Sequence, residues 1–180
     1  MENSSLGFNF DSGEFGSNLK VGKVRRKSID ETYELVVGKV STARNHCNEM
    51  VVPLQEKVSP GRLINLVVRA FNDGIAFRYE FPEQEGWNSY VMYDEKTQFR
   101  LSGNPMALLM YLPGYINTHE GVYTHTGYDK IAKKRLIEMP VTLEFENGVF
   151  MSITEAAIRD YAGMYLVKEK DAFAGKLSPR

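Results

Sequence analysis

The carboxylate of Glu155 is the side chain in this sequence whose position most needs a chemical explanation. It follows a predicted strand at residues 149–153. The alternating pattern places Val149, Met151 and Ile153 on one inward face of that strand. Glu155 is the next residue in that row. Because a buried carboxylate is costly unless it is compensated, two alternatives are open. The side chain lies beyond the strand end in water, or it sits where a ligand or metal balances its charge.

The histidines and the single cysteine do not form a recognisable site in the sequence. His46 and Cys47 are neighbours on a predicted strand, so their side chains point to opposite faces and do not form a nucleophile–base pair. His119, Glu120 and His125 lie in a long loop without zinc-type spacing, which favours solvent-facing positions. The spacing of the His and Glu residues does not indicate an acid–base pair.

Two further groups of residues have some features of binding sites. Trp87, Tyr90 and Tyr93 could stack on a sugar, but aromatic residues at a junction of loop and strand more often belong to a core. The Asn72-Asp73-Gly74 segment lacks the spaced oxygen ligands of a calcium loop and is interpreted as a turn. The sequence also lacks the glycine-rich phosphate loop and the nucleophile elbow of known enzyme classes.

Composition limits the classes of protein to which the chain can belong. Its 180 residues are enough for one domain with a sizeable core, and the net charge of −1 argues against a nucleic-acid partner. No segment approaches the ~20 apolar residues of a membrane span. The first residues lack the basic and apolar regions of a signal peptide. The lone cysteine excludes an internal disulfide.

The elements that would position these residues are predicted to be short antiparallel strands. Alternating apolar residues between turn signals predict strands at 5–10, 19–25, 32–40, 46–55, 63–71, 75–81, 90–93, 98–101, 139–145, 149–153 and 164–167. Residues 107–112 are an apolar run to which no element is assigned. Ser28 to Glu31 is interpreted as a connection, and 113–135 as a long functional or covering loop. The sequence therefore predicts an all-β antiparallel sandwich of roughly ten or more strands.

Two hairpins are the clearest local predictions. Asn147-Gly148 joins 139–145 to 149–153, because both residues tolerate a positive φ. Residues 63–71 and 75–81 form the second hairpin, in which Ile75, Phe77, Tyr79 and Phe81 alternate with polar residues and predict an aromatic inner face.

Five segments, spread in order over nearly the whole chain, carry a resemblance to a known family. They are SLG at 5–7, TYELVVGK at 32–39 with Arg44-Asn45 after it, RAFNDGIAFRYEFP at 69–82, Glu95 with Phe99, and SITEAAIRDYAGM at 152–164. Together they resemble the amino-terminal domain of glycoside hydrolase family 97. This is a family of α-glucosidases and α-galactosidases best represented in Bacteroidetes.

The resemblance implies a β-super-sandwich related to that of galactose mutarotase. In the family this domain precedes a (β/α)8 catalytic barrel, which supplies the catalytic acid and the base or nucleophile. The chain itself is therefore expected to hold no catalytic residue and to be inactive alone. The family's amino-terminal domain lends one glutamate to an active-site calcium ion, and by motif position that residue is Glu155. The implied partners are the barrel and, through the parent enzyme, an oligo- or polysaccharide.

The resemblance also bears on the boundaries of the domain. We expect a sandwich over residues 1–176 that lacks the family's first strands, with 177–180 beginning a linker to the barrel. Missing strands would leave exposed sheet edges that favour self-association. Family members are generally exported, which suggests a periplasmic location. The alternative reading is a stand-alone carbohydrate-binding or mutarotase-like sandwich, and neither the sugar nor a retaining or inverting outcome follows from the sequence.

Overall fold

The computed structural model describes residues 2–179, which are almost entirely β-strand and turn. A single 3-10 turn covers Tyr128–Lys130 in this part of the chain. The strands, in chain order, are β1 (Phe8–Phe10), β2 (Gly13–Phe15), β3 (Leu19–Val21), β4 (Arg25–Glu34), β5 (Thr42–Glu56), β6 (Leu63–Ala70), β7 (Ile75–Glu80), β8 (Met92–Glu95), β9 (Gln98–Arg100), β10 (Met106–Leu112), β11 (Thr124–Gly127), β12 (Leu136–Glu144), β13 (Phe150–Ile153), β14 (Met164–Glu169) and β15 (Ala172–Leu177). None of the described residues forms a helix long and apolar enough to cross a membrane.

The chain divides into two compact units. The first unit contains the segment up to Gly16 and the segment from Tyr90 onward, and the second is Ser17–Ser89. The first unit holds a three-stranded sheet in the order β2-β1-β8 and a seven-stranded sheet in the order β11-β10-β12-β14-β15-β9, with β13 paired to β12. All of the strand pairs in these two sheets are antiparallel.

One face of the seven-stranded sheet carries the main core of the first unit. Its buried residues are Phe99, Leu101, Ala107, Leu109, Tyr128, Ile131, Ile137, Val141, Leu143, Ile153, Leu166 and Phe173. These apolar side chains leave water together, and that transfer is the principal favourable contribution to folding.

The register of β12, β14 and β15 decides which residues occupy the opposite face of that sheet. Ile137 pairs with Leu166, and both are fully buried in the core. Since successive strand residues alternate between faces, Glu138 and Tyr165 point away from this core. Tyr165 pairs with Lys176, so these three residues form a row across neighbouring strands on the outer face.

The second unit is one five-stranded antiparallel sheet in the order β3-β5-β6-β7, with β4 paired to β5. The fifteen residues of β5 are long enough for β4 to pair with its first part and β3 with its end, while β6 pairs on the other side. The buried side chains of Glu56 and Arg62 join the end of β5 to the start of β6.

The predicted all-β class and both hairpins are confirmed. β6 and β7 pair in register, with Phe71 N donating to Gly74 O at 2.8 Å across the predicted turn. β12 and β13 pair around Asn147-Gly148. The aromatic inner face of β7 is only partly confirmed, because Ile75 is 75% exposed and Phe77 38% exposed.

The prediction for residues 25–41 was wrong. The segment expected to connect two strands, Ser28 to Glu31, lies in the middle of β4, and the chain turns only after Glu34. Polar residues form this strand because their backbone pairs with β5 and their side chains pair across it. Arg44, for example, donates two hydrogen bonds of 2.7 Å to Asp30. Val36 and Val37, placed in a strand by their apolar character, are exposed at the turn.

Two further predictions about the end of the chain need correction. β15, with the sequence AFAGKL, was missed because Ala and Gly have low strand propensity, yet four of its residues are buried. Val149 does not belong to an inward row: it precedes β13 and is exposed, so that row begins at Met151.

Candidate functional site

Glu155 lies in the loop between β13 and β14, and the side chain is half-buried. Its Oε2 accepts a hydrogen bond from the Met164 backbone N–H at 3.1 Å, which ties the start of the loop to its end. Within residues 2–179 no lysine, arginine or histidine forms an ion pair with it. The carboxylate is therefore neither free in water nor balanced by a basic side chain of the described residues.

Burial raises the pKa of Glu155, and the negative charge of Glu95 raises this pKa further. The hydrogen bond from Met164 acts in the opposite direction, because it stabilises the ionised form. A cation binds favourably beside a carboxylate that is half-desolvated and close to a second carboxylate. The electrostatics of the loop therefore favour a positively charged ligand at Glu155.

Glu95 is a charged neighbour of Glu155 that its position in the sequence did not identify as a site residue. It is buried at the end of β8, where Thr97 Oγ1 donates to its Oε1 and Tyr161 Oη donates to its Oε2 at 2.7 Å. Each carboxylate oxygen of Glu95 therefore accepts a hydrogen bond from a hydroxyl group. Glu95 acts on the pKa of Glu155 through its negative charge. Both Glu95 and Tyr161 lie in segments that resemble the family, and this resemblance is the sequence feature that could have identified them.

The carboxylate of Glu155 has the oxygen chemistry of a calcium ligand among the described residues. Residues 2–179 contain no group of three or more His, Cys, Asp or Glu side chains that could hold a metal ion. Calcium takes about six to eight oxygen ligands. Glu155 Oε1 accepts no hydrogen bond within residues 2–179, so one carboxylate oxygen is available to a cation whose other ligands come from elsewhere.

A second group of side chains, here called the His119 surface, consists of Tyr115, His119, Glu138 and Tyr165. His119 Nδ1 lies 2.8 Å from Glu138 Oε1. The imidazole stacks on the Tyr165 ring with 6.3 Å between centroids, and the Tyr115 ring meets Tyr165 edge-on at 5.4 Å. The prediction of a solvent-facing His119 is half right, because its ring is exposed and also paired with a carboxylate nineteen residues away.

The loop that carries His119 is fixed by its own hydrogen bonds. His119 N donates to Asn117 Oδ1 at 2.6 Å, and Asn117 Nδ2 donates to Gly114 O at 2.7 Å. His119 has a φ of 55°, a left-handed conformation that is uncommon for residues other than glycine. Such strain persists only where the surroundings enforce it, and the Asn117 contacts supply that constraint.

An ion pair continues the row of polar side chains on the outer face of the sheet. Lys176 Nζ forms a salt bridge with Asp94 Oδ2, and this contact raises the pKa of Lys176. Burial raises the pKa of Tyr165, and the nearby charges of Glu138 and Glu155 raise it further. The pKa of Tyr165 therefore depends both on Glu155 and on Glu138 of the His119 surface.

The structure also places the remaining candidates from the sequence. His46 is exposed and Cys47 is buried, which confirms that they face opposite ways. His125 Nε2 is 3.8 Å from Glu144 Oε2 on an exposed part of the sheet. Trp87 is buried, with the Arg62 guanidinium 5.7 Å from its ring centroid, and belongs to the core of the second unit. Tyr93 is exposed.

Comparison with known proteins adds an independent line of evidence. The family model described as Glycosyl-hydrolase 97 N-terminal matches residues 1–179. The retaining alpha-galactosidase of Bacteroides thetaiotaomicron is 27% identical in an alignment 179 residues long, which covers 94% of this chain and 26% of that protein. This chain therefore spans about a quarter of that relative.

Solved structures agree with this match. A variant of a glycoside hydrolase family 97 enzyme from Pseudoalteromonas sp. strain K8 superposes with a TM-score of 0.90 at 31% identity, over 99% of this chain and 27% of that chain. Such an enzyme from the same strain, in complex with acarbose, gives 0.88 at 31% identity with the same coverage. A beta-arabinopyranosidase shares the fold, with a TM-score of 0.85 at 23% identity over 100% of this chain and 30% of that chain.

Proposed function

Because the chain belongs to the family of glycosyl-hydrolase 97 N-terminal domains, we propose that it is the non-catalytic β domain of a calcium-dependent α-glycosidase. In this proposal the chain packs on a catalytic barrel, and Glu155 supplies one carboxylate ligand to a calcium ion held mainly by that barrel. The bound calcium ion would provide positive charge beside the reacting sugar.

The state of the Glu155 carboxylate is the observation that supports this proposal most. It is half-buried, is fixed by the Met164 amide, lies in the field of Glu95 and has one oxygen without a hydrogen bond in residues 2–179. A carboxylate in that state is stabilised by a cation, and oxygen ligands suit calcium. The short Glu155–Met164 loop presents the ligand with little conformational freedom to lose on binding.

The proposed substrates are α-linked glucose or galactose units of an oligo- or polysaccharide. Relatives point to this class, since one is named an alpha-galactosidase and an enzyme from Pseudoalteromonas sp. strain K8 was solved with panose. Hydrolysis in such enzymes uses a pair of carboxyl groups whose separation sets retention or inversion. The chain's own contribution would be to hold calcium and to border the sugar pocket.

Calcium titration of an enzyme that contains this domain together with its barrel tests the proposal. Glu155→Gln is expected to weaken calcium binding by at least about tenfold and to lower kcat at limiting calcium. Glu146→Gln, in the exposed β12–β13 turn, is the matched control and should leave both unchanged. An enzyme that loses no calcium affinity on Glu155→Gln would contradict the role of this residue.

The isolated chain provides a second test. One carboxylate does not hold calcium tightly, so titration calorimetry is expected to detect no micromolar binding. Micromolar binding that disappears in Glu155→Gln would mean that the chain holds a complete site. The chain alone is also expected to leave aryl α-glucosides and α-galactosides uncleaved, and measurable hydrolysis would refute the non-catalytic role.

A mutarotase-like activity is the alternative, and it would depend on the hydrogen-bonded His119–Glu138 pair. Mutarotation needs an acid and a base placed at two different oxygens of the sugar. His119 and Glu138 bind each other, so together they form a single proton-transfer unit rather than two. Polarimetry of freshly dissolved α-D-galactose distinguishes the two candidates, and we expect the chain to leave the rate of optical change unaltered.

A further inference from the structure

We propose that the His119 surface binds one pyranose ring of an oligosaccharide, through its aromatic rings and an outward-facing imidazole nitrogen. The choice of a sugar as ligand rests on the proposed function, but none of the four side chains of the His119 surface is the proposed calcium ligand. It involves side chains of β12 and β14 and the loop that follows β10.

The orientation of the His119 imidazole is the first argument. Glu138 Oε1 lies 2.8 Å from Nδ1, so Nδ1 carries a proton in either charge state of the ring. Nε2 has no hydrogen-bond partner within residues 2–179, and the side chain is 40% exposed. A fixed imidazole whose Nε2 makes no hydrogen bond within residues 2–179 can accept from a sugar hydroxyl when neutral and donate to one when protonated.

Glu138 supplies the second argument. Its Oε2 is buried and has no hydrogen-bond partner among the described residues, so the imidazole is the one side-chain donor that its carboxylate contacts there. A carboxylate with so few donors binds that donor strongly, because a buried polar group is costly to leave without a partner. The imidazole is consequently held in one orientation before any ligand arrives.

The aromatic rings supply the third argument. A pyranose has a flat face of C–H groups and a rim of hydroxyls, so it needs an apolar platform beside a polar group. Tyr115 and Tyr165 provide rings at 77° to each other, and His119 stacks within 27° of the Tyr165 plane. These rings are half-buried or exposed on the outer face of the sheet and are not part of the apolar core.

The fixed backbone around His119 is the fourth argument. The left-handed φ of His119 and the two short hydrogen bonds of Asn117 hold the loop in a conformation that costs conformational energy. Strain of this kind is common in ligand-binding loops, where it places a side chain that a relaxed backbone would direct elsewhere. Here it brings His119 over Tyr165 and onto Glu138.

The experiment is an NMR titration of the 180-residue chain with methyl α-D-glucopyranoside and methyl α-D-galactopyranoside, with sorbitol as an open-chain polyol control. A single ring on an open surface is expected to bind with a Kd of about 1–10 mM. The shifts that saturate should cluster at Tyr115, His119 and Tyr165. Sorbitol should produce no saturable shift at these residues.

Substitutions test the assignment. His119→Asn removes the ring while tolerating the left-handed backbone, and it is expected to weaken binding by about tenfold or more. His125→Asn is the matched control, because it alters the other His–Glu pair on the same sheet, and binding should be unchanged. Tyr115→Leu gives the same test without altering the strained residue, and the amide spectrum verifies that each variant folds.

Two results would overturn the proposal. One is the absence of saturable shifts for both glycosides up to about 100 mM, which lies well above the expected Kd. The other is sugar binding that survives both His119→Asn and Tyr115→Leu. The two tests remain distinct, because this experiment measures sugar binding by the chain without calcium, whereas the test of the proposed function measures calcium affinity in the full enzyme.

Discussion

At the scale of single residues, the chemistry of this chain depends on ionisable groups whose surroundings disfavour the charged form. Glu155 is half-desolvated beside another carboxylate, and Lys168 is buried with its Nζ 3.1 Å from the centroid of the Tyr128 ring. Burial lowers the pKa of Lys168 to about 8 and raises the pKa of Tyr128 to about 12. Each of these pKa shifts makes the free energy of unfolding depend on pH.

Glu155 should make the isolated chain less stable as pH rises from acid to neutral. The folded-state pKa is above the unfolded value, so the folded chain retains a proton that the unfolded chain loses. Glu155→Gln keeps a hydrogen-bond acceptor for Met164 and removes the charge. We therefore expect a higher Tm than wild type at pH 7 and an equal Tm near pH 4. A Tm difference that does not change with pH would contradict this explanation.

Lys168 should make the chain more stable as the pH rises through a more alkaline range. Its pKa is lowered in the folded chain, so the unfolded chain binds more protons between about pH 8 and 10.5 and stability rises across that interval. Lys168→Met removes the buried charge and should be more stable than wild type at pH 7. The contact of the ammonium with Tyr128, worth about 1–2 kcal/mol, limits this gain.

Thermal unfolding at pH 7 and pH 10 measures the Lys168 effect. The Tm difference between Lys168→Met and wild type should shrink by pH 10. Lys170→Met, an exposed residue of the β14–β15 turn, is the control and should show no such trend. A variant that is less stable than wild type by the same amount at both pH values would contradict this explanation, because the charge of Lys168 would then have no effect on stability.

At the scale of elements, β5 and its neighbours show how polar side chains help to define the second unit. The Arg62 guanidinium donates to both oxygens of Glu56, at 2.8 and 2.6 Å, and the Arg62 backbone N–H donates to Glu56 Oε2 at 3.1 Å. Both side chains are less than 8% exposed. This pair closes the turn between β5 and β6 and satisfies groups that would otherwise be buried without partners.

Removing one member of this pair should be costly. Arg62→Ala leaves the Glu56 carboxylate buried without its counter-charge, and we expect a loss of about 3–5 kcal/mol in the free energy of unfolding. The double variant Glu56→Gln with Arg62→Met leaves no buried charge and should lose less. Urea unfolding of the three proteins measures both values. A double variant as unstable as Arg62→Ala would mean that packing, rather than the unpaired charge, causes the loss.

At the scale of the whole molecule, the chain presents exposed apolar residues on strands and turns of both units. Ile75 and Phe77 are exposed on β7, which ends the order of the five-stranded sheet, and Val36 and Val37 are exposed at the β4–β5 turn. Exposed apolar side chains on an outer strand favour association with another chain. In the proposed function, the catalytic barrel is such a partner.

The isolated chain should therefore self-associate at high concentration. Light scattering at about 0.5–1 mM is expected to give a mass above the monomer value, as for weak complexes whose Kd lies in that range. Ile75→Lys places a charge on β7 and should shift the chain toward monomer. His46→Lys, on the exposed face of β5, is the control and should have no effect. A wild-type monomer throughout this range would contradict the prediction.

The sequence by itself determined the class of fold, most strand positions and the position of Glu155 after β13. These features depend on local alternation, turn chemistry and motifs, all of which can be read from neighbouring residues. The polar strand β4 and the Ala-rich β15 escaped prediction because pairing with distant strands, and not their own side chains, makes them strands.

Only the tertiary structure decided which side chains meet. Glu138 and His119 are nineteen residues apart, and Glu95 reaches Tyr161 across sixty-six. Such contacts follow from the register of β12 and β14 and from the course of the loops, and neither spacing nor composition encodes these. The same is true of charge: a carboxylate in the sequence has an ordinary pKa until folding removes its water and fixes its neighbours.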